Sequence, residues 1–253
     1  MNHKWYRLFL LCPFLLTSGC AAAQTAPAKE ESEAIQVLFI GNSYVFFNSL
    51  PQTFVRLVES AGNRVHAEMV AKGGWTLGQH VASEQTMSKI ASREWDYVIL
   101  QEQSVMPSIP TEREKLMYPA ARALNKAISD QGARTVFMMT WGRRDGLREA
   151  GFTDFGAMQE QLATGYTAIG TELGAIVAPV GLAWQRAVGQ RPGIALWDSD
   201  GSHPAPAGSY LAACVFYATL FGESPAGLNY HADLSPDEAQ FLQAVAAQAA
   251  EGK

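Results

Sequence analysis

Short apolar segments alternate with longer amphipathic segments from residue 35 to the end of the chain. The apolar segments are near-continuous and rich in Val, Ile, Phe and Tyr, which is typical of strands buried on both faces of a parallel sheet. They predict strands at residues 35–40, 64–70, 95–100, 134–140 and 175–180.

The segments between these strands carry apolar residues at helical spacing. They predict helices at residues 50–61, 76–91, 112–131, 154–173, 206–221 and 235–249. Ser235 stands directly before a Pro and is the expected N-cap of the last helix. Strands that alternate with helices in this way predict an α/β fold, a three-layer α/β/α domain built on a parallel sheet. Residues 34–253 are expected to form this single domain.

The first 20 residues have a different pattern, because Lys4 and Arg7 precede an apolar run at residues 8–16. This pattern is typical of a secretory signal, and the run is shorter than the roughly 20 residues that span a bilayer. The segment ends in Cys20 and resembles a bacterial lipoprotein signal, which implies lipid attachment at Cys20. An ordinary signal cleaved after a small residue such as Ala23 is the alternative.

Residues 21–33 are Ala, Gln, Thr, Pro, Lys, Glu and Ser without apolar periodicity, which predicts a flexible tether. Signal and tether together predict an extracytoplasmic protein, either a periplasmic or outer-membrane lipoprotein or a secreted one. We expect membrane contact only through the lipid anchor.

Composition narrows the function classes further. The chain has 253 residues, 48% of them hydrophobic, so its core needs no disulfide or structural metal. Its net charge of −5 argues against a nucleic-acid partner, which would favour basic patches. The 3 cysteines are too scattered for a metal site, and Cys214 lies in a helical stripe that predicts an inert buried thiol. No phosphate-cradling Gly motif follows a strand, so we expect no cofactor.

The search for chemistry starts at the ends of the strands, because ligands of parallel α/β sheets bind at the carboxyl edge. Ser43 follows the first strand in the segment Gly41-Asn42-Ser43-Tyr44. A serine at such a strand-to-helix turn is exposed and suits a nucleophile, with backbone N–H groups nearby for an oxyanion. The alternative is that Ser43 only caps or turns the chain. The G-x-S-x-G elbow of α/β-hydrolases is absent, because Val45 stands two residues after the serine.

A second candidate segment lies near the end of the chain, where Asp198, Asp200 and His203 occur together. A nucleophilic serine needs a histidine to take its proton and a carboxylate to orient that histidine. Asp200 is three residues from His203 across a Gly-containing turn and is the preferred partner, with Asp198 as the alternative. All three side chains could also bind a metal, but the calcium-loop and H-E-x-x-H spacings are absent.

Four segments of this chain resemble the conserved blocks of the SGNH (GDSL-type) hydrolases over about residues 35–222. They are Phe39-Ile40-Gly41-Asn42-Ser43, Gly73-Gly74, Gln101-Glu102-Gln103-Ser104 and Asp200-x-x-His203-Pro204. The resemblance implies a flavodoxin-like parallel sheet and a serine acyl-enzyme. Members of this superfamily are esterases, lipases, thioesterases and carbohydrate deacetylases.

Carried over by position, the resemblance makes Ser43 the nucleophile, His203 the general base and Asp200 its orienting carboxylate. The backbone N–H groups of Ser43 and Gly74 would form part of the oxyanion hole. Asn42 replaces the usual Asp before the serine, which is a small change because that side chain is mainly structural.

The third block departs from the family pattern, which places Gly-x-Asn-Asp there and uses the Asn amide as an oxyanion donor. This chain has no Asn at the block and resembles instead the Gln-Gly-Glu stretch of sialate-type acetylesterases. A Gln amide donates the same hydrogen bond from one methylene further away. Gln103 is the first choice for this donor and Gln101 the second, while Glu102 is expected to be structural or to face the substrate.

Three residues near these blocks are candidates for substrate binding. Trp141 and Arg143 follow the fourth strand, and Trp stacks on sugar faces while Arg pairs with carboxylates. The alternative for both is a solvated loop. Tyr44 follows the nucleophile and would either line the acyl pocket or anchor the first helix in the core.

Two functions of different class follow. The first is a secreted or membrane-tethered serine esterase that removes short acyl groups, acetyl being the first choice, from a small-molecule or glycan ester. The second is a non-catalytic glycan-binding lipoprotein on a degenerate hydrolase fold.

Overall fold

The computed structural model describes residue 1 and residues 34–251. The signal, the tether and Cys20 lie outside the described residues, so what the sequence predicts for them stays a prediction. No helix within residues 34–251 has the length and apolar character needed to cross a membrane.

The domain is organised around a parallel five-stranded sheet with the order β2-β1-β3-β4-β5. The strands are β1 (Ile35–Gly41), β2 (Val65–Ala71), β3 (Tyr97–Leu100), β4 (Arg134–Met138) and β5 (Ile176–Ala178). Strand order reverses between β1 and β3, and such a reversal opens a crevice at the carboxyl edge of the sheet.

Helices connect the strands and cover both faces of the sheet. They are α1 (Ser43–Phe46), α2 (Leu50–Ser60), α3 (Leu77–Val81), α4 (Glu84–Ala91), α5 (Pro110–Glu112), α6 (Tyr118–Ser129), α7 (Phe155–Leu173), α8 (Val180–Gln190), α9 (Pro206–Phe221) and α10 (Pro236–Glu251). Short 3-10 turns at Phe47–Ser49, Met106–Ser108 and Arg148–Ala150 and a π-helical turn at Arg113–Met117 complete the connections.

Successive residues of β1 point to opposite layers of the core. Val37 and Phe39 pack with α2, α8, α9 and α10, whereas Leu38 and Ile40 pack with α3, α4, α6 and α7. All four side chains are fully buried, which explains why the strand reads as a continuous apolar run. The three-layer α/β/α architecture predicted from the sequence is therefore confirmed.

Every predicted strand is present, with ends that differ by a few residues from the prediction. The predicted helix at residues 76–91 is wrong as a single element, because Ser83 interrupts it. The Ser83 hydroxyl accepts a hydrogen bond from the Thr86 N–H and caps α4. Ser235 likewise accepts from the Glu238 N–H at the start of α10, as predicted.

Helix α8 was not predicted, because Gly181, Gly189 and β-branched residues give the segment low helix propensity. Packing overrides this preference. Gly181 lies so close to the carbonyl oxygen of Thr140 that an added Cβ would be 2.1 Å from it. On the same helix, Trp184 stacks on Trp141 with ring centroids 4.1 Å apart.

Candidate active site

The residues predicted for catalysis meet at the carboxyl edge of the sheet. Ser43 lies two residues after the end of β1, and Gly74 and Gln103 follow β2 and β3. His203 comes from the turn that leads into α9. Residues far apart in sequence thus meet because parallel strands all end at the same edge.

Three side chains form a continuous hydrogen-bonded relay. The Nε2 atom of His203 lies 2.9 Å from the Ser43 hydroxyl, and its Nδ1 atom lies 2.5 Å from the Oδ2 atom of Asp200. Two N–H groups, of Ser202 and His203, donate to the other carboxylate oxygen of Asp200 at 2.9 Å each. The spacing of serine, imidazole and carboxylate is that of a nucleophile, a base and an orienting group.

The protonation of this relay follows from the partners of Asp200. Partial burial would raise the pKa of Asp200, but the hydrogen bonds from the His203 imidazole and from two backbone N–H groups outweigh it and lower the pKa to about 2. An ionised carboxylate can only accept hydrogen bonds, so Nδ1 of His203 carries the ring proton. The Nε2 atom is then the acceptor for the Ser43 hydroxyl.

The turn that carries His203 is fixed on several sides. Gly201 adopts a left-handed conformation with φ of 67°, which supports the tight turn between Asp200 and His203. The indole N–H of Trp141 donates to the Ser202 carbonyl at 3.0 Å, and the hydroxyl of Tyr44 lies 2.8 Å from that of Ser202. These contacts connect the histidine turn to the loops after β4 and β1.

Asp198 is not the partner of the imidazole. Its carboxylate accepts from the Ser199 N–H at 2.6 Å, and its own N–H donates to the His203 carbonyl at 2.8 Å. It therefore shapes the turn, while Asp200 contacts the ring.

A small cavity of about 210 Å³ opens beside Ser43 and His203. Its wall includes Gly74, Gln103 and Arg143, together with Asn42, Tyr44, Ser104 and Ser202. Among residues 34–251, no acceptor takes the backbone N–H of Ser43 or of Gly74. Both N–H groups are therefore available to a ligand, and their predicted role in an oxyanion hole stays a prediction.

The side chain of Gln103 lines this cavity in a defined orientation. Its Oε1 atom accepts from the Val105 and Met106 N–H groups at 2.9 and 3.1 Å. Because the oxygen is held by these two amides, the NH2 group is the end left to donate. Within the described part of the chain, its hydrogen-bond partner is the Ser104 hydroxyl at 3.5 Å. The amide is thus positioned to act as a hydrogen-bond donor.

Comparison with known proteins adds the fold family to this geometry. No family model and no curated protein matches the chain. A solved putative SGNH hydrolase from Slackia heliotrinireducens is 29% identical with a TM-score of 0.61, and the match covers 74% of this chain and 99% of that one. The chain has the SGNH hydrolase fold.

Other solved structures share this fold at lower identity. A DUF4886 family protein from Bacteroides uniformis is 20% identical with a TM-score of 0.69, covering 86% of this chain and 95% of that chain. A catalytic mutant of an acetylxylan esterase from Geobacillus stearothermophilus is 13% identical with a TM-score of 0.55, covering 75% and 96%.

Gln101, the second choice for the oxyanion donor, is ruled out by its position. The side chain is fully buried beneath the turn that carries Ser43, where its Oε1 accepts from the Asn42 N–H at 2.8 Å and its amide donates to the Glu102 carbonyl. Gly41 is required above it, because a Cβ there would be 2.5 Å from the Gln101 oxygen. Gln101 therefore supports the turn from below and does not reach the cavity.

Glu102 connects two loops of the site. One carboxyl oxygen accepts from the Leu77 N–H at 3.1 Å and from the Gln103 N–H at 2.6 Å, so the loops that carry Gly74 and Gln103 share one buried acceptor. The other oxygen is buried and has no partner within residues 34–251. Burial raises the pKa of Glu102 to about 7, against the opposing effect of the two N–H donors.

Asn42 and His80 extend the same buried network. The Asn42 amide donates to the Trp75 carbonyl at 2.9 Å, and its oxygen accepts from the Tyr44 N–H. His80 bonds through Nε2 to the Gly41 carbonyl at 2.9 Å and through Nδ1 to Thr86. The loops after β1, β2 and β3 are thus joined by polar side chains with defined partners.

The prediction that Trp141 binds substrate is wrong. Its ring is fully buried between Tyr44 and Trp184, with centroids 4.6 and 4.1 Å away and nearly parallel planes. No sugar can stack on a ring with both faces covered. Tyr44 itself is 2% exposed, so it is mainly a core residue with one edge at the cavity.

Two contacts of the site were not predicted from the sequence. Phe47 stacks on the imidazole of His203 with centroids 4.3 Å apart. Asn48 adopts a left-handed conformation with φ of 50°, and its amide donates to the carbonyl of Pro204 at 2.8 Å. Asn tolerates this conformation better than most residues, which is the only sequence signal for the turn.

The site offers little for a metal ion. Within residues 34–251, no group of three or more His, Cys, Asp or Glu side chains could hold one. Cys214 is buried in α9 and burial raises the pKa of its thiol, in agreement with the predicted inert role.

Proposed function

We propose that this protein is a serine esterase that removes short acyl groups, acetyl in the first instance, from a carbohydrate through an acyl-enzyme. The observation that carries the proposal is the relay from Ser43 through His203 to Asp200 at the wall of an open cavity. A serine with no catalytic role would not need an imidazole oriented by a carboxylate.

In the first half of the reaction, the Ser43 oxygen attacks the ester carbonyl while Nε2 of His203 takes the hydroxyl proton. Asp200 stabilises the resulting imidazolium. When the tetrahedral intermediate collapses, the ester C–O bond breaks and His203 gives the proton to the leaving alcohol. Water, deprotonated by the same histidine, then hydrolyses the acyl-enzyme and restores Ser43.

Negative charge on the carbonyl oxygen requires donors at fixed positions. We assign this role to the N–H groups of Ser43 and Gly74 and to the NH2 group of Gln103. This assignment is supported by two observations. Neither backbone N–H group has an acceptor among residues 34–251, and the Gln103 oxygen accepts from the Val105 and Met106 N–H groups. Preorganised donors of this kind are often the largest contribution to catalysis in acyl transfer.

The acyl size and the sugar are inferred from two observations. The cavity of about 210 Å³ is small for a binding site, which favours a short acyl group. An acetylxylan esterase is among the solved structures that share the fold. We extend its acetyl-carbohydrate class to this chain as part of the proposal.

We further propose that the protein acts outside the cytoplasm and is anchored through a lipid on Cys20. The support is the basic and apolar pattern before Cys20. A Cys20→Ala variant is expected to leave the membrane fraction in a bacterial host. Its retention there would reject the anchor.

The enzyme proposal is tested by comparing Ser43→Ala with wild type on 4-nitrophenyl acetate. Loss of the nucleophile should lower kcat by at least about 10³-fold with an unchanged melting temperature. Ser199→Ala is the matched control, because Ser199 is an exposed serine of the histidine turn outside the relay, and it should retain activity. Equal turnover by Ser43→Ala and wild type would reject the proposal. Polysaccharide binding without turnover would favour the glycan-binding alternative.

A further inference from the structure

Arg143 is a cation in the wall of the catalytic cavity. The residue is half-buried, and its guanidinium Nε atom is buried without a hydrogen-bond partner among the described residues. A buried donor left unsatisfied costs free energy, so such a group in a binding cavity is best explained by an acceptor that arrives with the ligand.

No acidic side chain within residues 34–251 forms an ion pair with Arg143. Its neighbour Arg144 pairs with Asp145 at 2.9 Å on the exposed side of the same loop. The carboxylate of Asp200 is committed to His203 and two backbone N–H groups. The guanidinium of Arg143 therefore has no carboxylate partner within residues 34–251, although acidic residues outnumber basic ones in this chain.

The backbone at Arg143 is fixed. The Gly142 N–H donates to the side-chain oxygen of Gln159 at 2.9 Å, and the Trp197 indole donates to the Gly142 carbonyl at 3.0 Å. The N–H of Arg143 itself contacts the sulfur of Met158 at 3.4 Å. A loop held at three successive points keeps the guanidinium stem at the cavity and lowers the entropy cost of binding.

We propose that Arg143 selects ester substrates that carry a carboxylate close to the scissile ester. The inference deepens the proposed esterase function and rests on it. Guanidinium is a planar donor that matches the two oxygens of a carboxylate, so an anionic ligand would pair with the charge of Arg143 and accept a hydrogen bond from its Nε atom. The carboxylate could belong to the sugar, as in a uronic acid, or to the acyl group, as in a succinyl ester.

Two matched pairs of substrates separate these sources. The first pair is an O-acetylated methyl glucuronoside and its methyl ester, which lacks the charge. The second pair is the hemisuccinate of methyl glucoside and the corresponding methyl succinate. For each pair, the ratio of kcat/KM for the charged and neutral member is measured in wild type, Arg143→Ala, Arg143→Lys and Arg144→Ala.

In wild type, the charged member of one pair should be preferred, and Arg143→Ala should lower that preference by about 10- to 100-fold, the range of a charge-assisted hydrogen bond. Arg143→Lys should keep part of the preference, because lysine has the positive charge but lacks the planar guanidinium that pairs with both carboxylate oxygens. Arg144→Ala removes the same charge from the same loop and should leave the preference intact. Preference in the first pair assigns the carboxylate to the sugar, and preference in the second assigns it to the acyl group.

The inference is overturned if wild type shows no preference in either pair, or if Arg143→Ala slows both members of a pair equally. It is also overturned if Arg144→Ala lowers the preference for the charged substrate as much as Arg143→Ala does. That result would indicate a long-range electrostatic effect of the loop and not a contact made by Arg143. Failure of the esterase proposal can be told apart from failure of this inference. In that case wild type would hydrolyse neither these esters nor 4-nitrophenyl acetate.

Discussion

Replacement of Glu102 by Gln tests how the buried network supports the site. Glutamine keeps the carbonyl oxygen that accepts from the Leu77 and Gln103 N–H groups, and its NH2 replaces the carboxyl oxygen that has no partner among residues 34–251. The variant therefore resembles the protonated form of Glu102 in shape and hydrogen bonding. It removes only the ionisation.

The size of the effect follows from the pKa. Burial raises the pKa of Glu102 from 4.5 to about 7, and at about 1.4 kcal/mol per pKa unit this corresponds to roughly 3 kcal/mol. The folded protein holds the proton up to about pH 7, whereas the unfolded chain releases it near pH 4.5. The free energy of unfolding contributed by this group is therefore complete below pH 4.5 and is lost as the pH rises through 7.

Urea unfolding of wild type and Glu102→Gln from pH 4.5 to pH 8 measures this directly. Groups common to both proteins cancel in the difference between their free energies of unfolding. That difference should move in favour of the Gln variant by roughly 3 kcal/mol across the range. A difference that does not change with pH would refute the argument that Glu102 is a buried carboxyl with a raised pKa.

Glu172→Gln is the matched control. Glu172 lies at the exposed end of α7, where hydrogen bonds from Arg122 lower the pKa of its carboxyl group. The guanidinium of Arg122 stays charged throughout this pH range, and Glu172 is ionised in both the folded and unfolded states above about pH 5.5, so its contribution is lost only in more acidic solution. The stability difference for Glu172→Gln should be flat from pH 5.5 to pH 8.

Three further substitutions have expected outcomes. Gln103→Ala should lower kcat on 4-nitrophenyl acetate by about 10²- to 10³-fold with little change in KM, and an unchanged kcat would remove the amide from the oxyanion hole. Gly41→Ala should lower the free energy of unfolding in urea by about 1–3 kcal/mol, because its Cβ would lie 2.5 Å from the Gln101 oxygen, and wild-type stability would contradict this packing. Trp141→Phe removes the donor to the Ser202 carbonyl and should cost about 1–3 kcal/mol in the same assay, whereas an unchanged midpoint would argue against a structural Trp141.

The sheet could be predicted from the sequence because strands that are buried on both faces appear as continuous apolar segments. Residues 37–40 are all apolar and all buried, and residues 98–100 and 136–138 have the same character. Strand β2 differs, because it contains His66, Glu68 and the exposed Met69. Helix α8 has no comparable local sequence pattern. Its formation depends on Trp184 packing against Trp141, a tertiary contact between segments that no local pattern relates.

The site was predictable in part, for a related reason. Ser43, Asp200 and His203 belong to short blocks whose order along the chain indicates their meeting at the sheet edge. The sequence of these blocks does not show which of their side chains are buried and which face the cavity. Gln101 and Gln103 look equivalent in sequence, yet one supports the turn from beneath and the other lines the cavity. Trp141 and Arg143 likewise separate into a core residue and a cavity residue.

The most direct test of the account is the site of covalent labelling by a fluorophosphonate, which reacts with activated serines. After incubation and peptide mapping by mass spectrometry, wild type should carry one adduct, on Ser43. Ser43→Ala should carry none, and His203→Ala should react far more slowly because the base is missing. Absence of an adduct in wild type, or equal labelling of wild type and His203→Ala, would contradict the claim that Ser43 is a nucleophile activated by His203.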